Sequence, residues 1–331
     1  MNIIDLFSGA GGLTFGFYYR KKGNEFVRNR KNTFLFANEF DKYAADAFKK
    51  NYKDINMINS DIKELTDEKI VELVNNQTVD IIIGGPPCQS FSTVGQRIYD
   101  EKATLYEEYL RILRVVRPKM FLFENVTGIL SMRETFYKRD KDGNIEYEEV
   151  KNEETGKTKK KPIVTRYGRL VIEVIKEKFA NIDDKLGYTI VTETLNAVDY
   201  GVPENRERVF IVGIRKGLDI NWSFPEKTNE NKISIKEAIS DLPRVSEGKK
   251  KEKYTIEPKN TYQKLMRNGS EKITQHYCGT YGEKIRIVIK NVKQGQGRND
   301  FNELVKKGII DEKDIAYCAV DLFAVGLFCC R

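Results

Sequence analysis

The stretch NIIDLFSGAGGLTFGF, residues 2–17, contains an apolar strand that runs directly into a glycine-rich turn and then into an amphipathic helix. Glycines at positions 9, 11 and 12 allow backbone N–H groups to approach a ligand closely at the start of that helix. The spacing differs from the GxGxxG fingerprint of dinucleotide oxidoreductases, although the glycines alone leave that class open. The stretch predicts an α/β sheet that binds a ligand after its first strand.

Short apolar runs alternate with helix-like segments through the first half of the chain. Such runs occupy residues 33–37, 81–84 and 120–123, and helix-like segments separate them. Strands that alternate with crossover helices form parallel sheets covered by helices on both faces. The pattern therefore predicts a Rossmann-like α/β architecture.

The alternation is interrupted once and weakens later. Residues 133–165 are rich in Lys, Glu and Asp around a turn-forming Gly143, which predicts an exposed insertion. Beyond about residue 225 apolar clusters become sparse. We expect a catalytic and cofactor-binding domain at residues 1–224 and a smaller region at residues 225–331.

The charge balance permits an anionic partner. The 331 residues include 57 Lys and Arg against 49 Asp and Glu, a net charge of +8. That excess suits a polyanion such as nucleic acid, but it equally describes a lysine-rich, solvated surface. Charge alone does not separate the two interpretations.

Histidine and cysteine usage excludes several chemistries. With one histidine and five cysteines that form no CxxC pair, the sequence predicts neither a metal site nor a disulfide framework. The sequence shows no secretory leader and no membrane-spanning stretch, so a cytoplasmic protein is expected.

Two carboxylates follow apolar segments near the start of the chain. Glu39 ends the run FANE, and Asp61 lies in NSDI after the next short apolar stretch. Either acid alone is compatible with a helix cap or a solvated loop. Their order after the glycine turn favours ligand contacts, with Glu39 on ribose hydroxyls and Asp61 on an adenine amino group.

The segment IIIGGPPCQSFS, residues 81–92, places Cys88 after a buried strand on a loop stiffened by Pro86 and Pro87. A lone cysteine is ordinarily a small buried hydrophobe, but the carboxyl edge of a parallel sheet is where ligands bind. We therefore predict that Cys88 is a nucleophile.

The next strand ends in Glu124, a carboxylate that is costly to bury without a partner. A substrate-facing role is therefore predicted for Glu124 at the same edge of the sheet.

In this order, these motifs resemble those of the cytosine-C5 DNA methyltransferases across roughly the first two thirds of the chain. Residues 5–17 are similar to the family's cofactor loop, residues 85–92 to its Pro-Cys nucleophile motif, and residues 124–126 to its Glu-Asn-Val motif. GVPENRERVFIVG, residues 201–213, resembles the Gln-x-Arg-x-Arg motif, with Glu204 where the family usually has Gln.

The resemblance implies an S-adenosylmethionine-dependent methyltransferase sheet with a partial target-recognition region. It implies methylation of cytosine C5 in double-stranded DNA, within a restriction-modification system. Cys88 would add to C6 of a flipped-out base, Glu124 would act at N3, and Arg208, supported by Arg206, would hold the base. The implied cofactor contacts are Asp5, Phe7, Ser8, Gly9, Gly11, Gly12, Leu13, Glu39, Asp61, Ile62 and Pro86.

The resemblance stops after about residue 225. Two later family motifs, Arg-Glu-x-Ala-Arg-Leu-Gln-x-Phe-Pro and Gly-Asn-x-Val-Pro, are not found, and the tail at residues 317–331 is apolar and cysteine-rich. A truncation, a shifted reading frame and a second chain that supplies these motifs are the alternatives. Two other functions stay open: an RNA cytosine methyltransferase, which residues 89–92 fit less well, and a catalytically silent DNA-binding subunit.

Overall fold

The computed structural model describes residues 1–23, 25–87, 105–151, 158–228, 232–267, 270, 272–291 and 301–309. The chain divides into a larger unit, residues 1–22 with 26–232, and a smaller unit, residues 23–25 with 233–331. The predicted nucleophile Cys88 and the apolar tail lie outside the described residues.

Strands and helices alternate along the larger unit, as the sequence predicts. The strands are β1 Asn2–Leu6, β2 Tyr19–Lys22, β3 Glu25–Arg28, β4 Thr33–Asn38, β5 Met57–Ile58, β6 Ile81–Gly84, β7 Met120–Val126, β8 Arg133–Tyr137, β9 Tyr147–Lys151, β10 Thr158–Pro162, β11 Val164–Leu170, β12 Tyr188–Asn196 and β13 Glu207–Arg215. The α-helices of the chain are α1 Gly12–Tyr18, α2 Lys42–Asn51, α3 Asp67–Val74, α4 Leu105–Val116, α5 Val171–Ala180, α6 Ile235–Ile239, α7 Thr261–Arg267, α8 Glu283–Asn291 and α9 Phe301–Lys306. Among the described helices, none has the length and apolar character needed to span a membrane.

Seven strands form the central sheet in the order β12-β13-β7-β6-β1-β4-β5. The five strands from β7 to β5 are parallel, whereas β13 runs antiparallel to both of its neighbours. From β1 the chain proceeds first to β4 and β5 on one side, and later to β6 and β7 on the other. The carboxyl ends of β1 and β6 therefore flank the point where strand order reverses, where open α/β sheets bind ligands.

The sheet is buried on both faces, which confirms the predicted Rossmann-like α/β class. Ile4 and Ile82 belong to one buried apolar cluster, and Ile3, Ile81 and Ile83 belong to another. Because successive strand residues point to opposite faces, this alternation requires helices on both sides. Helices α1 and α2 contribute to the second cluster, and α3, α4 and α5 contribute to the first.

The region between β7 and α5 carries the residues expected to form an exposed insertion. Two antiparallel pairs are nested there, β8 with β11 and β9 with β10. Backbone hydrogen bonds between Lys138, Glu146 and Ile163 join the outer pair to the inner pair. The insertion is a folded two-stranded ribbon whose side chains are mostly exposed.

The smaller unit is built mainly from short helices and loops. Ser234 and Glu237 form a reciprocal capping box at the start of α6. Inside the unit Arg267 donates from Nε to Oδ2 of the buried Asp241 at 2.8 Å, and its guanidinium stacks on the Tyr254 ring. These contacts give this unit a polar core of its own.

Candidate active site

Two glycines of the loop after β1 adopt a left-handed backbone conformation. Gly9 and Gly11 have φ values of 55° and 95°, in the left-handed region that favours glycine. A Cβ added at Gly11 would lie 2.1 Å from the Tyr52 ring, and the Tyr52 hydroxyl donates to the Gly11 carbonyl at 2.8 Å. Tyr52 therefore supports the loop, and α1 begins at Gly12 without a side-chain cap on its first N–H groups.

Asp5 is the most unusual carboxyl group in this part of the structure. Its side chain is fully buried, Oδ2 accepts a hydrogen bond from the Thr14 hydroxyl, and Oδ1 has no hydrogen-bond partner among the described residues. Burial raises the pKa of Asp5 to about 7; the Thr14 hydrogen bond opposes the rise and the negative charge of Glu39 adds to it. An unpaired buried carboxyl oxygen is costly, so a donor or cation from a ligand would relieve it.

Glu39 ties the glycine loop to the loop after β4. Its Oε2 accepts the Gly9 N–H at 2.8 Å, and its Oε1 accepts the Asp41 N–H at 2.8 Å. Each carboxylate oxygen has two lone pairs, so both keep acceptor capacity for a ligand. Phe40, the next residue, is 74% exposed and places a large apolar ring beside this carboxylate.

Asp61 caps the short 3₁₀ helix Ile62–Glu64 by accepting the Lys63 N–H at 2.9 Å. The Ile62 side chain is buried in the core, so only its backbone is available to a ligand. The residues predicted to contact an adenine therefore form one capped turn.

Arg111 on α4 fixes that turn from the other side. Its Nη2 donates to the carbonyls of Ile62 at 3.2 Å and Leu65 at 2.9 Å. Its Nε donates to Glu108 at 2.8 Å, and its Nη1 donates to Asp67. Arg111 was not predicted from the sequence, because a charged residue on an amphipathic helix gives no indication of a partner 44 or more residues earlier in the chain.

The carboxyl end of β6 packs tightly against both neighbouring strands, β1 and β7. A Cβ at Gly84 would lie 2.6 Å from the Leu6 carbonyl oxygen, and one at Gly85 would lie 2.8 Å from Glu124 Oε2. The buried Asn125 donates from Nδ2 to the Pro86 carbonyl at 3.3 Å. The described part of the predicted nucleophile loop is thus anchored to the end of β7.

Glu124 and Arg208 form an ion pair at the end of β7. Arg208 Nε lies 2.9 Å from Glu124 Oε1, and the two side chains are 22% and 24% exposed. Burial raises the pKa of Glu124 above its ordinary value, while the positive charges of Arg208 and Arg206 act to lower it. The guanidinium of Arg208 also fixes the orientation of this carboxyl group.

Arg206 lies near the Glu124–Arg208 pair, and its side chain is more exposed than that of Arg208. Its guanidinium lies 3.7 Å from Glu204, the residue that departs from the family pattern. Its backbone N–H donates to Asn196 Oδ1 at 3.1 Å, and Asn196 Nδ2 donates to Asn205 at 2.6 Å. Asn196, at the end of β12, therefore shapes the turn that presents both arginines.

A cavity of about 490 Å³ joins these features. Nine of its lining residues are among those predicted from the sequence: Asp5, Phe7, Ser8, Gly9, Gly12, Leu13, Glu124, Arg206 and Arg208. Six were not predicted: Ala10, Gly85, Leu195, Ala197, Tyr200 and Phe210. Strands β12 and β13 form a hairpin that brings four of these, within residues 195–200 and at 210, to the part of the sheet that carries Arg208. Two apolar runs close together in the sequence, at residues 188–197 and 208–214, are the signal that could have indicated them.

The other predicted contacts, Gly11, Glu39, Asp61, Ile62 and Pro86, do not line this cavity. Gly11 and Glu39 adjoin it through the glycine loop. Within the described residues no cluster of three His, Cys, Asp or Glu side chains is placed to hold a metal ion.

A family model described as C-5 cytosine-specific DNA methylase matches residues 1–145 and 161–315. The chain belongs to this family. Its matched residues include the glycine loop, Glu124 and both arginines of the cavity.

Two curated relatives are named type II methyltransferases. M.DdeI of Desulfomicrobium norvegicum is 33% identical over 310 residues, which cover 92% of this chain and 63% of that relative. M.FnuDI of Fusobacterium nucleatum is 37% identical over 246 residues, which cover 73% of this chain and 56% of that relative. The chain thus spans about three fifths of the length of these family members.

One solved structure has the same fold. It is described as a DNA modification methyltransferase encoded within an E. coli prophage, and it aligns with a TM-score of 0.59 at 23% identity. The alignment covers 89% of this chain and 76% of that structure.

Proposed function

We propose that this chain carries the catalytic machinery of a type II DNA methyltransferase, which transfers a methyl group from S-adenosylmethionine to C5 of a cytosine in duplex DNA. The observation that supports this most directly is the Glu124–Arg208 pair, which faces the same cavity as the glycine loop after β1. A base beside the pair and a cofactor beside the loop would meet at the point where strand order reverses.

The cavity has the properties that S-adenosylmethionine requires. Its volume of about 490 Å³ lies in the range of small-molecule sites. The unpaired Asp5 Oδ1 suits a cationic ligand, since S-adenosylmethionine carries an ammonium and a sulfonium group. Glu39 would accept from ribose hydroxyls, with the Asp61 turn and the exposed ring of Phe40 beside the adenine. When bound, the cofactor supplies an electrophilic methyl group.

The protein must activate a carbon that is a poor nucleophile. Cys88, which follows Pro87 in the sequence, would add as a thiolate to C6 of the cytosine, breaking the C5–C6 double bond and making C5 nucleophilic. The raised pKa of Glu124 favours a protonated carboxyl group that donates to N3 and stabilises the charge developing on the ring. Arg208 would bind the carbonyl oxygen of the base with the guanidinium N–H groups that face away from Glu124.

The target base has to leave the duplex for this chemistry. C6 of a stacked cytosine is inaccessible, and rotating the nucleotide out costs a few kcal/mol. Contacts from Arg206, Arg208 and the cavity wall would offset that cost. A host that protects its own DNA in a restriction-modification system would use such an enzyme in the cytoplasm.

Covalent trapping tests the proposal. The chain is incubated with S-adenosylmethionine and duplex DNA that contains 5-fluorocytosine, where fluorine at C5 prevents release of the enzyme. We expect a DNA adduct that intact-mass spectrometry assigns to Cys88, and no adduct with Cys88→Ser. Cys278, which is buried in the smaller unit, gives the matched control, because Cys278→Ser should still form the adduct. An adduct on another residue, or cofactor binding with no adduct under any condition, would contradict the mechanism.

A further inference from the structure

A second cavity lies in the ribbon between β7 and α5, away from the residues used above. Its volume is about 790 Å³, and it opens between β8, β10, β11 and the residues that follow β7. The sequence of this insertion contains no motif that predicts a function. We call this cavity the ribbon groove.

The ribbon groove is lined by positive charge. Arg133, Lys160 and Lys161 contribute to it, and no Asp or Glu is among its lining residues. All three side chains are exposed. Arg133 donates one hydrogen bond, from Nη1 to the Gly168 carbonyl at 3.1 Å, and this leaves most of its guanidinium available. Neither lysine forms an ion pair within the described part of the chain.

Acidic residues lie near the groove but do not neutralise it. Lys160 and Lys161 lie directly across the β9–β10 ladder from Glu149 and Glu148. Opposite charges at such positions often pair, yet neither glutamate pairs with its cross-strand lysine, and neither lines the groove. The positive groups are thus presented to an external anion.

Hydroxyl groups complete the lining. Ser131, Thr135, Tyr137 and Tyr167 lie among the cations, and Tyr167 is 67% exposed. Protein contacts to nucleic-acid phosphates come from Arg and Lys together with Ser, Thr and Tyr hydroxyls. This combination is the donor set that a phosphodiester backbone requires.

The position of the groove fits DNA that extends from the candidate active site. Ser131 follows Glu124 by seven residues, so these residues are at most about 25 Å apart. Since B-DNA advances 3.4 Å per base pair, this upper limit corresponds to about seven base pairs, so the Ser131 edge of the groove lies within that length of duplex from Glu124. Both places belong to the larger unit.

We propose that the ribbon groove binds the phosphate backbone of the duplex flanking the target cytosine, an inference that rests on the proposed DNA substrate. It adds affinity and orientation without reading sequence, because phosphate contacts are independent of the bases.

The salt dependence of DNA binding tests this role. Fluorescence anisotropy gives the affinity of the full chain for a duplex of about 30 base pairs over a series of salt concentrations, since each phosphate contact adds about 0.9 to the slope of log K against log salt. We expect the double variant Lys160→Gln with Lys161→Gln to lower that slope by about 1.8 and to weaken binding at least several-fold at low salt.

The matched control removes the same charge from the same ribbon. Lys141 and Lys151 are exposed and do not line the groove. Lys141→Gln with Lys151→Gln should leave the slope unchanged. If both double variants lowered the slope equally, only the net charge of the ribbon would matter and the proposal would be wrong. An unchanged slope for Lys160→Gln with Lys161→Gln would also overturn it. Tighter binding of an RNA duplex of equal length, lost in the same variant, would also overturn it.

The result of the salt-dependence experiment can be distinguished from the result of the adduct experiment. A reduced slope in a chain that forms no adduct with 5-fluorocytosine supports the groove and contradicts the methyl transfer. Adduct formation with an unchanged slope keeps the chemistry and removes the groove.

Discussion

The two walls of the central cavity are constructed in different ways. The wall formed by the loop after β1 is held from behind by side chains that do not line the cavity: Glu39 accepts the N–H groups of Gly9 and Asp41, and the Tyr52 hydroxyl donates to the Gly11 carbonyl. On the opposite wall, Glu124 is held by the side chain of Arg208.

We infer from this difference that the first wall serves cofactor binding and the second wall serves the methylation reaction. Hydrogen bonds to the backbone hold the glycine loop in one conformation, which suits a ligand that must be held in one pose. An ion pair between two side chains leaves the pKa and hydrogen-bond partner of Glu124 adjustable. We therefore expect substitutions on the first wall to change cofactor affinity and substitutions on the second to change the rate.

Glu124→Gln should have the largest effect. The amide keeps the size of the carboxyl group but cannot transfer a proton, so methylation should fall by about 10²- to 10⁴-fold while cofactor affinity stays unchanged. Tritiated methyl transfer under single-turnover conditions measures the rate. Glu193→Gln is the control, since Glu193 lies in the same row of the sheet across Phe210 and does not line the cavity. An equal loss in cofactor affinity would refute the division between the walls.

Asp5→Asn should change cofactor affinity and stability in opposite directions. Without the negative charge, S-adenosylmethionine should bind about 10- to 100-fold more weakly at pH 8, as for other hydrogen bonds to charged groups. Wild-type affinity should fall as the pH drops below about 7, the pKa of Asp5, because the carboxylate is lost. Isothermal titration calorimetry measures both effects.

The stability effect follows from the raised pKa. Because the folded-state pKa of Asp5 lies above the unfolded value, its contribution to stability is fully present below pH 3.8 and is lost as the pH rises through about 7. The cost of the buried charge above pH 7 is roughly 4 kcal/mol at most. Asp5→Asn should therefore raise the free energy of unfolding at pH 8, whereas Asp46→Asn on the exposed face of α2 should not. A destabilised Asp5→Asn variant would be evidence that Oδ1 has a partner.

Arg111→Met should raise the KM for S-adenosylmethionine by about 5- to 10-fold, because it releases the carbonyls of Ile62 and Leu65 from the turn. The kcat should change little, since Arg111 does not line the cavity. Arg111→Lys should not restore the KM, because an ammonium group cannot reach several partners in a fixed fork. Lys69→Met, which breaks an exposed pair with Glu72, is the control. A fall in kcat with constant KM would rule out this positioning role.

Tyr52→Phe should have the smallest effect. It removes one hydrogen bond to the Gly11 carbonyl and keeps the ring that fills the space under the loop. We expect a loss of about 1 kcal/mol in the free energy of unfolding by urea denaturation, with a small rise in cofactor Kd. Tyr19→Phe is the control. An equal loss in its free energy of unfolding would attribute the effect of Tyr52→Phe to general packing rather than to the hydrogen bond with Gly11.

Much of the fold was predictable because local sequence carries its signals. The apolar runs at β1, β4, β6 and β7 and the turn at residues 9–12 identify the strands and the ligand loop by composition alone. Glu124 and Arg208 were predicted as site residues for the same reason, since each lies in a recognisable motif. Their hydrogen bond was not predictable from spacing, because it depends on β13 pairing antiparallel to β7 with Phe210 opposite Glu124.

The amino-acid sequence by itself determined the α/β class, the family and the residue types that face a ligand, because strand periodicity, glycine conformation and motif order are local properties. Only the tertiary structure decided the sheet order, the burial of Asp5 with an unpaired oxygen, the anchoring by Arg111 and Tyr52, and the cations that line the ribbon groove. These features depend on which distant segments pack together. Packing determines how far a side chain is removed from water and which groups it can contact, and these two factors set its charge and its role.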